Sequence, residues 1–237
     1  MVDLTSLFCI PKSYEVYLTE SFRFHCDICY AASGNVFHCF HYSKIRSIDS
    51  INFLGASLAS LAEELVNSCH NMIDMKRELA PLWEFVTDEW HDKSLDRQEE
   101  IFLLLQRKQY FPYTYIKDTE VLSEKCLPEF EFWNKGFQLG AEISEENYQT
   151  AINVFQELEC ENIDSYLTYY LYVDVLLLSS IFESWRRLGM NEFGLDMANH
   201  ISLPQFGMSS WLYTSGASID LLQDYEQILR FESAKRG

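Results

Sequence analysis

Glycine and proline are scarce in this sequence, at 9 and 5 of 237 residues, which excludes collagen-like and low-complexity chains. Positive charge is scarce too, since 18 lysines and arginines against 36 acidic residues give a formal net charge of −18. Because an acidic surface repels phosphate, we do not expect sequence-independent binding of nucleic acid through a basic face. A metal-lined cleft that handles a nucleic-acid end is compatible with this charge.

Long apolar runs are also lacking, and we expect no secretory signal. The longest apolar stretches, Ile101–Leu105 and Val175–Leu178, are far shorter than the roughly 20 residues that a membrane helix needs. The first ten residues contain Asp3 and neither lysine nor arginine, which is not typical of a secretory signal. The seven cysteines are odd in number and scattered, a pattern that favours reduced thiols. We therefore expect a folded, soluble, intracellular protein without a membrane partner.

The order of predicted elements is short strands first and helices after. Ser57 stands where it can cap the first amides of a helix, and apolar residues recur behind it with helical spacing. A further helix is predicted to start after Ser144, with Glu145 and Glu146 in its first turn, where the helix dipole favours anions. The predicted fold class is α/β, predominantly helical. The strands are predicted at 36–41 and 45–48, and the helices after Ser57, at 95–106, after Ser144, at 163–188 with an end at Gly189, and at 205–213.

The predicted helix 163–188 carries a carboxylate on its apolar side. Its apolar stripe is formed by Ile163, Leu167, Tyr170, Leu171, Leu177, Leu178, Ile181, Trp185 and Leu188. The same spacing requires an inward residue at Asp174, and a buried carboxylate must be hydrogen-bonded, neutralised or bound to a cation. Tyr170 lies one turn earlier on the same face. Two interpretations stay open: Tyr170 or a backbone amide satisfies Asp174 in an ordinary core, or the two side chains hold a metal ion and its water.

The stretch Tyr170–Leu178, a Y-x3-D followed by an apolar run, resembles the third exonuclease motif of family B DNA polymerases. The resemblance is strongest to the protein-primed group of phages, organellar plasmids and large self-synthesising transposons. It implies a partial RNase H-like 3′–5′ exonuclease domain, in which Asp174 binds a catalytic Mg²⁺ or Mn²⁺ and Tyr170 helps to orient the attacking water.

Three further stretches resemble the same family. Ser47–Leu54 resembles the segment that carries an S/T-L-x2-hydrophobic motif, which implies that Ser50, Ile51 (in place of the leucine) and Leu54 contact the single-stranded primer end. Lys108–Tyr115, read KQYFPYTY, resembles a K-G-x-x-P-Y-x-Y stretch. Ile201–Pro204 and Ala234–Gly237 resemble the passage into the polymerase domain. The implied partners are a DNA primer terminus, single-stranded DNA and a terminal protein primer.

Several motifs of that family do not occur in this chain. A D-x-E motif is absent from residues 1–45, the second exonuclease motif does not precede Ser50, and the palm motif D-T-D is absent. The prediction is therefore a piece of a DNA-directed DNA polymerase acting in DNA replication, inactive as it stands because a two-metal site needs carboxylates from three motifs. The predicted divisions are a poorly matched segment 1–44, an exonuclease-like region 45–190 and the start of a polymerase domain, 191–237.

A different function class is suggested by Cys26, Cys29, His38 and His41, with Cys39 between the two histidines. Cysteine and histidine at such spacing are typical ligands of a tetrahedral zinc ion. The alternative hypothesis is a zinc-binding interaction module at residues 26–41. Another is a non-catalytic remnant of a mobile element, in which Asp174 is closed off inside a core.

Overall fold

The computed structural model describes residues 26–29, 39–42, 45–133, 143–220 and 222–234, with backbone alone for residues 26–29, 39–42 and 45–47. The predominantly helical character predicted from the sequence is confirmed for this part of the chain. Its helices are α1 (Leu58–Ser68), α2 (Met72–Glu78), α3 (Ala80–Glu89), α4 (Leu95–Leu105), α5 (Phe130–Trp133), α6 (Glu145–Glu157), α7 (Ile163–Phe193), α8 (Leu203–Ser215) and α9 (Tyr225–Ala234).

Three short strands precede the helices. They are β1 (Cys26–Cys29), β2 (Cys39–Tyr42) and β3 (Ile45–Ile48), and they form one antiparallel sheet in the order β1-β2-β3. In its register Cys29 lies opposite Cys39, which in turn lies opposite Ile48. Strand β2 overlaps the predicted strand 36–41 at residues 39–41, and residues 36–38 lie outside those described. Strand β3 matches the predicted strand 45–48.

Serine side chains fix where the main helices begin. Ser57 accepts a hydrogen bond from the amide of Ser60 at 3.2 Å, and Ser144 accepts one from Asn147 at 3.2 Å. Ser94 caps α4 in the same way. Each bond satisfies one of the amides that the first turn of a helix leaves unpaired, a contribution of about 1 kcal/mol. The caps therefore explain why the predicted helix starts at 57 and 144 match the structure.

The structure consists of two compact units. The described residues of the range 54–187 form one unit, and those of the ranges 1–53 and 188–237 form the other. In the 54–187 unit the core is built from α1, α3, α4, α6 and α7, and the rings of Trp83 and Phe102 meet edge to face with centroids 5.4 Å apart. The side chain of Phe102 is fully buried, which contributes about 1.5–3 kcal/mol. The predicted divisions at 44/45 and 190/191 remain predictions.

Helix α7 is longer than predicted. It passes through Gly189 and ends at Phe193, before Gly194, whose φ of +66° is the left-handed conformation that glycine adopts without strain. Gly189 has a packing role instead, because a Cβ there would lie 3.0 Å from the ring of Phe206 and from the carbonyl oxygen of Leu195. The prediction that α7 ends at Gly189 was therefore wrong by one turn.

The buried face of α7 also differs from the predicted stripe. Leu171 and Leu188 are exposed, whereas Tyr166 and Val173 are buried. The buried positions follow a spacing of three and four, which shifts the stripe slightly around the helix and leaves Asp174 at its edge. The buried side chains of α7 are Ile163, Tyr166, Tyr170, Val173, Leu177, Ser180 and Ile181.

Among the described residues, α7 is the one helix whose length and composition would allow it to cross a membrane, and 33% of its most apolar window is buried inside the structure. The core helix of a globular unit meets the same criterion. Its buried face forms part of the core described above.

Candidate functional site

Four polar side chains from two distant parts of the chain meet beside α7. Lys108 Nζ donates to Asp174 Oδ2 at 2.6 Å and to the hydroxyl of Tyr170 at 3.3 Å. The hydroxyl of Tyr113 donates to the hydroxyl of Tyr170 at 2.6 Å. Lys108, Tyr113, Tyr170 and Asp174 thus form one hydrogen-bonded group, which we call the Lys108 cluster.

The loop after α4 places Lys108 in this position. Gln109 is buried, and its side-chain amide donates to the carbonyl oxygens of Leu104 at 3.2 Å and Arg107 at 2.8 Å. These bonds close the loop on itself, so that the residue between Arg107 and Gln109 is held in a fixed direction. A buried side-chain amide that donates no hydrogen bond destabilises a fold. The two bonds from Gln109 therefore favour this conformation of the loop.

An aromatic segment then brings Tyr113 to the same place. The hydroxyl of Tyr166 donates to the carbonyl oxygen of Tyr110 at 2.6 Å and so fastens the start of this segment to α7. The ring of Phe111 packs against those of Tyr166, Tyr170 and Tyr113, with centroid distances of 6.1, 5.4 and 5.2 Å. Such ring pairs contribute about 0.5–1.5 kcal/mol each beyond their buried area. The two tyrosines of the cluster are therefore held in place by aromatic packing on Phe111.

Exposure in the cluster is graded from inside to outside. Tyr170 is 4% exposed and Tyr113 is 50% exposed. Between these extremes, the side chain of Asp174 is 20% exposed and that of Lys108 34%. The carboxylate is thus half-buried at the edge of the core, and its Oδ1 is buried without a hydrogen-bond partner. The site opens to solvent on the side of Lys108 and Tyr113.

Both phenols of the cluster hold their protons more strongly than usual. Burial, the hydrogen bond with Tyr113 and the negative charge of Asp174 raise the pKa of Tyr170 far above its ordinary range. Burial also raises the pKa of Tyr113, and the charge of Asp174 adds to this. Since an ordinary tyrosine titrates near pH ~10, both rings are neutral hydrogen-bonding groups at neutral pH. The arrangement suits the binding of a polar group better than proton abstraction.

The residues present do not fit the two-metal site that the family resemblance implies. Asp174 is the one carboxylate of the cluster, and its Oδ2 is already paired with an ammonium group. In the described part of the chain no three His, Cys, Asp or Glu side chains are grouped so that they could hold a metal ion. A divalent ion beside Asp174 would face the positive charge of Lys108 with a single carboxylate to offset it.

The residues predicted to contact DNA take separate positions. Ser50 and Ile51 lie in a short 3₁₀ helix, Ser50–Asn52, whose first turn is capped by Asp49 through a 3.1 Å bond to the amide of Ile51. Ile51 is 72% exposed, whereas Leu54 is 5% exposed and belongs to the core. Ser50 and Ile51 belong to the 1–53 and 188–237 unit, and the Lys108 cluster belongs to the 54–187 unit. The prediction that they contact DNA stays a prediction.

The candidate zinc ligands lie largely outside the described residues. His38 is not described, and for Cys26, Cys29 and His41 the backbone alone is described, in β1 and β2. The zinc hypothesis therefore remains a prediction.

Two surface depressions in the 54–187 unit flank the loop and α7. One, of about 380 Å³, is lined by Lys108, Arg107 and Tyr110 on one side and by residues of α1 on the other. The second, of about 530 Å³, has an aromatic wall and an acidic rim. Its lining includes Phe85, Tyr169 and Tyr172 together with Glu89, Glu159, Glu161 and Asp164.

Reasoning from the sequence identified Tyr170 and Asp174 but not their partners. No pattern in the sequence connected Lys108 or Tyr113 to Asp174. The signal was nevertheless present, because both residues stand in the stretch KQYFPYTY that resembles the same polymerase family.

Comparisons of the chain with protein-family models, with curated proteins and with solved structures found no match.

Proposed function

We propose that this chain is a piece of a DNA-directed DNA polymerase of family B, of the protein-primed type. In this proposal residues 45–190 are the C-terminal part of an RNase H-like 3′–5′ exonuclease domain that acts in DNA replication. The Lys108 cluster is then the place where the single-stranded primer end lies. The piece by itself does not hydrolyse DNA.

The observation that carries the proposal is a convergence in space. Two stretches that resemble the family separately, Lys108–Tyr115 and Tyr170–Leu178, supply all four members of one cluster. Lys108 and Asp174 are 66 positions apart in the chain. A chance likeness of two short motifs gives no reason for their side chains to meet, whereas a shared functional site does.

The exposed part of the cluster suits a nucleic-acid end. Tyr113 presents half of its side chain to solvent, and a base can stack on an exposed tyrosine ring with about 1–3 kcal/mol of stabilisation. Lys108 and its neighbour Arg107 line the adjacent depression of about 380 Å³, and both can approach a phosphate. They provide local positive charge on a chain whose formal net charge is −18.

Catalysis requires more than this chain provides. In the whole enzyme the resemblance implies Mg²⁺ or Mn²⁺ held by carboxylates of three motifs, and Asp174 is the one such carboxylate in the cluster. We therefore expect no hydrolysis of single-stranded DNA with Mn²⁺, either by the wild-type chain or by Asp174→Ala. Hydrolysis that depends on Asp174 would contradict the inactivity of the piece.

The test of the proposal is binding of a fluorescent single-stranded oligonucleotide at low salt, measured by anisotropy. Tyr113→Ala is expected to weaken binding about tenfold, because one base–ring contact is lost. Tyr172→Ala is the matched control, since Tyr172 is a partly exposed tyrosine of α7 that faces the acidic depression instead. It is expected to leave binding unchanged.

A second arm tests recognition of the strand end. Linear single-stranded DNA is expected to displace the probe at a lower concentration than circular single-stranded DNA of the same composition. Absence of binding by the wild-type chain, or equal loss in Tyr113→Ala and Tyr172→Ala, would contradict a primer-end site at the Lys108 cluster.

A further inference from the structure

The ammonium group of Lys108 makes the kinds of contact that a bound metal cation would make. It lies 2.6 Å from Asp174 Oδ2, 3.3 Å from the hydroxyl of Tyr170 and 5.4 Å from the centre of the Tyr170 ring. A carboxylate, a hydroxyl and an aromatic face are three groups to which a positive charge is attracted. All three converge on one nitrogen atom.

We propose that Lys108 takes the place of a divalent metal ion at Asp174, so that the carboxylate is neutralised without metal and excludes a metal ion until the lysine is displaced. The proposal rests on the proposed function, because an exonuclease-derived site is where a metal ion would be expected. In this proposal the site is not an empty metal site but a carboxylate that a lysine of the same chain neutralises.

The first step of the argument is the shortage of ligands. Mg²⁺ requires near-octahedral oxygen coordination, and proteins meet this with carboxylates, carbonyl oxygens and retained waters. Around Asp174 the cluster offers one carboxylate and two neutral phenols. A charged lysine has no lone pair to donate, so Lys108 cannot serve as a ligand.

The second step is charge balance. Asp174 carries one negative charge, and the ammonium of Lys108 already offsets it at 2.6 Å. A divalent ion added to this pair would leave a net positive charge of two in a half-buried place, which is unfavourable where solvent screening is reduced. Removal of the lysine charge leaves the carboxylate uncompensated, and a divalent cation can then bind it.

The experiment measures binding of Mn²⁺ alone, without DNA, by electron paramagnetic resonance of the free ion. Wild-type and Asp174→Asn chains are expected to give the same isotherm, because Asp174 is occupied by Lys108. Lys108→Met keeps the length of the side chain and removes its charge. It is expected to bind Mn²⁺ at least about tenfold more tightly than Lys108→Met/Asp174→Asn. A tenfold difference in affinity corresponds to about 1.4 kcal/mol of binding free energy.

Two further variants control for the many other carboxylates. Lys108→Arg keeps the charge and is expected to behave like the wild type. Asp164→Asn removes an exposed carboxylate from the first turn of the same helix and is expected to leave the Lys108→Met isotherm tight when the two changes are combined.

Two results would overturn the proposal. One is a wild-type Mn²⁺ site that Asp174→Asn removes, which would mean that lysine and metal coexist. The other is equal Mn²⁺ binding by Lys108→Met and Lys108→Met/Asp174→Asn. If Lys108→Met fails to fold, the wild-type comparison with Asp174→Asn still decides the matter. The loss of oligonucleotide binding described above tests the proposed function independently of this result.

Discussion

Tyr169 and Tyr170 are neighbours in the sequence, yet α7 directs them to two different surroundings. Tyr170 joins the Lys108 cluster, where one cation neutralises one carboxylate. Tyr169 lines the acidic depression, where its hydroxyl donates to Glu89 at 3.2 Å and its ring lies 5.5 Å from that of Trp90. Successive residues of a helix are rotated by about 100°, so adjacent tyrosines can serve opposite electrostatic roles.

The two surroundings differ in their balance of charge: positive and negative charge are equal in the Lys108 cluster, and negative charge predominates in the acidic depression. In the Lys108 cluster the one positive charge of Lys108 is paired with the one negative charge of Asp174, and the ring of Tyr170 packs on Phe111. In the acidic depression the rim carries Glu89, Glu159, Glu161 and Asp164. The balanced group can be half-buried, because burial of a paired charge costs less than burial of a lone one. The unbalanced group has to remain open to water.

The largest difference in unfolding free energy between the Lys108 cluster and the acidic depression is expected when the tyrosine of each is replaced by alanine. Tyr170→Ala removes a buried ring that packs on Phe111 and Tyr113 and should destabilise the protein by about 3–4 kcal/mol. Tyr169→Ala removes a less buried ring and should cost about 1–2 kcal/mol. Urea unfolding followed by circular dichroism measures both. Equal losses would mean that the two surroundings contribute alike to stability.

The ion pair itself should show a smaller effect. Lys108→Met leaves a half-buried carboxylate without its cation and is expected to cost about 2 kcal/mol. Lys108→Met/Asp174→Asn removes both charges and should cost less than the sum of the single changes, with a coupling of about 1–2 kcal/mol. The measurement is a double-mutant cycle of unfolding free energies. Strict additivity would show that the 2.6 Å contact does not contribute to stability.

Local features of the fold were predictable from the sequence because they depend on neighbouring residues. Ser57 caps its helix as predicted and α6 begins after Ser144 as predicted, since a hydroxyl three residues before an amide needs no distant partner. The end of α7 was not predictable in the same way. Gly189 is an ordinary stop signal, but here it allows Phe206 to approach, and that contact depends on tertiary packing.

In the candidate site, too, the feature that depends on neighbouring residues was predictable and the one that depends on distant residues was not. Asp174 was found because helical spacing places it beside apolar positions of one helix. Lys108 was not assigned to it, because no periodic pattern joins residues that are 66 positions apart. The two interpretations that stayed open for Asp174 named Tyr170, a backbone amide and a metal ion, and none of these donates the 2.6 Å bond that the carboxylate accepts.

Alkaline pH should act on the two tyrosines in sequence. Burial, followed by the charge of Glu89, raises the pKa of Tyr169 to about 12, and the pKa of Tyr170 is raised further. An unfolded tyrosine titrates near pH ~10, so the stability linked to neutral Tyr169 is fully present below that pH and is lost as the pH rises toward 12. The measurement is the difference in unfolding free energy between wild type and Tyr169→Phe as the pH is raised.

The same series with Tyr170→Phe distinguishes the two sides. Its difference from wild type should continue to change above the pH at which the Tyr169 difference has levelled, because Tyr170 keeps its proton longer. Coincident curves for the two variants would contradict the assignment of a stronger shift to the Lys108 cluster.

The smallest effect is expected from Glu89→Gln, which removes one charge from the acidic rim. Stability should change by no more than about 0.5 kcal/mol, because a partly exposed charge interacts weakly through water. The pKa of Tyr169 should fall, since Glu89 contributes to its rise, yet it should stay above the ordinary value because burial is the larger cause. Ultraviolet titration of phenolate absorbance measures this shift as the difference between Glu89→Gln and wild type. In the Tyr169→Phe background the same substitution should leave the titration unchanged, and a residual shift there would mean that Glu89 acts on a tyrosine beyond its own side of α7.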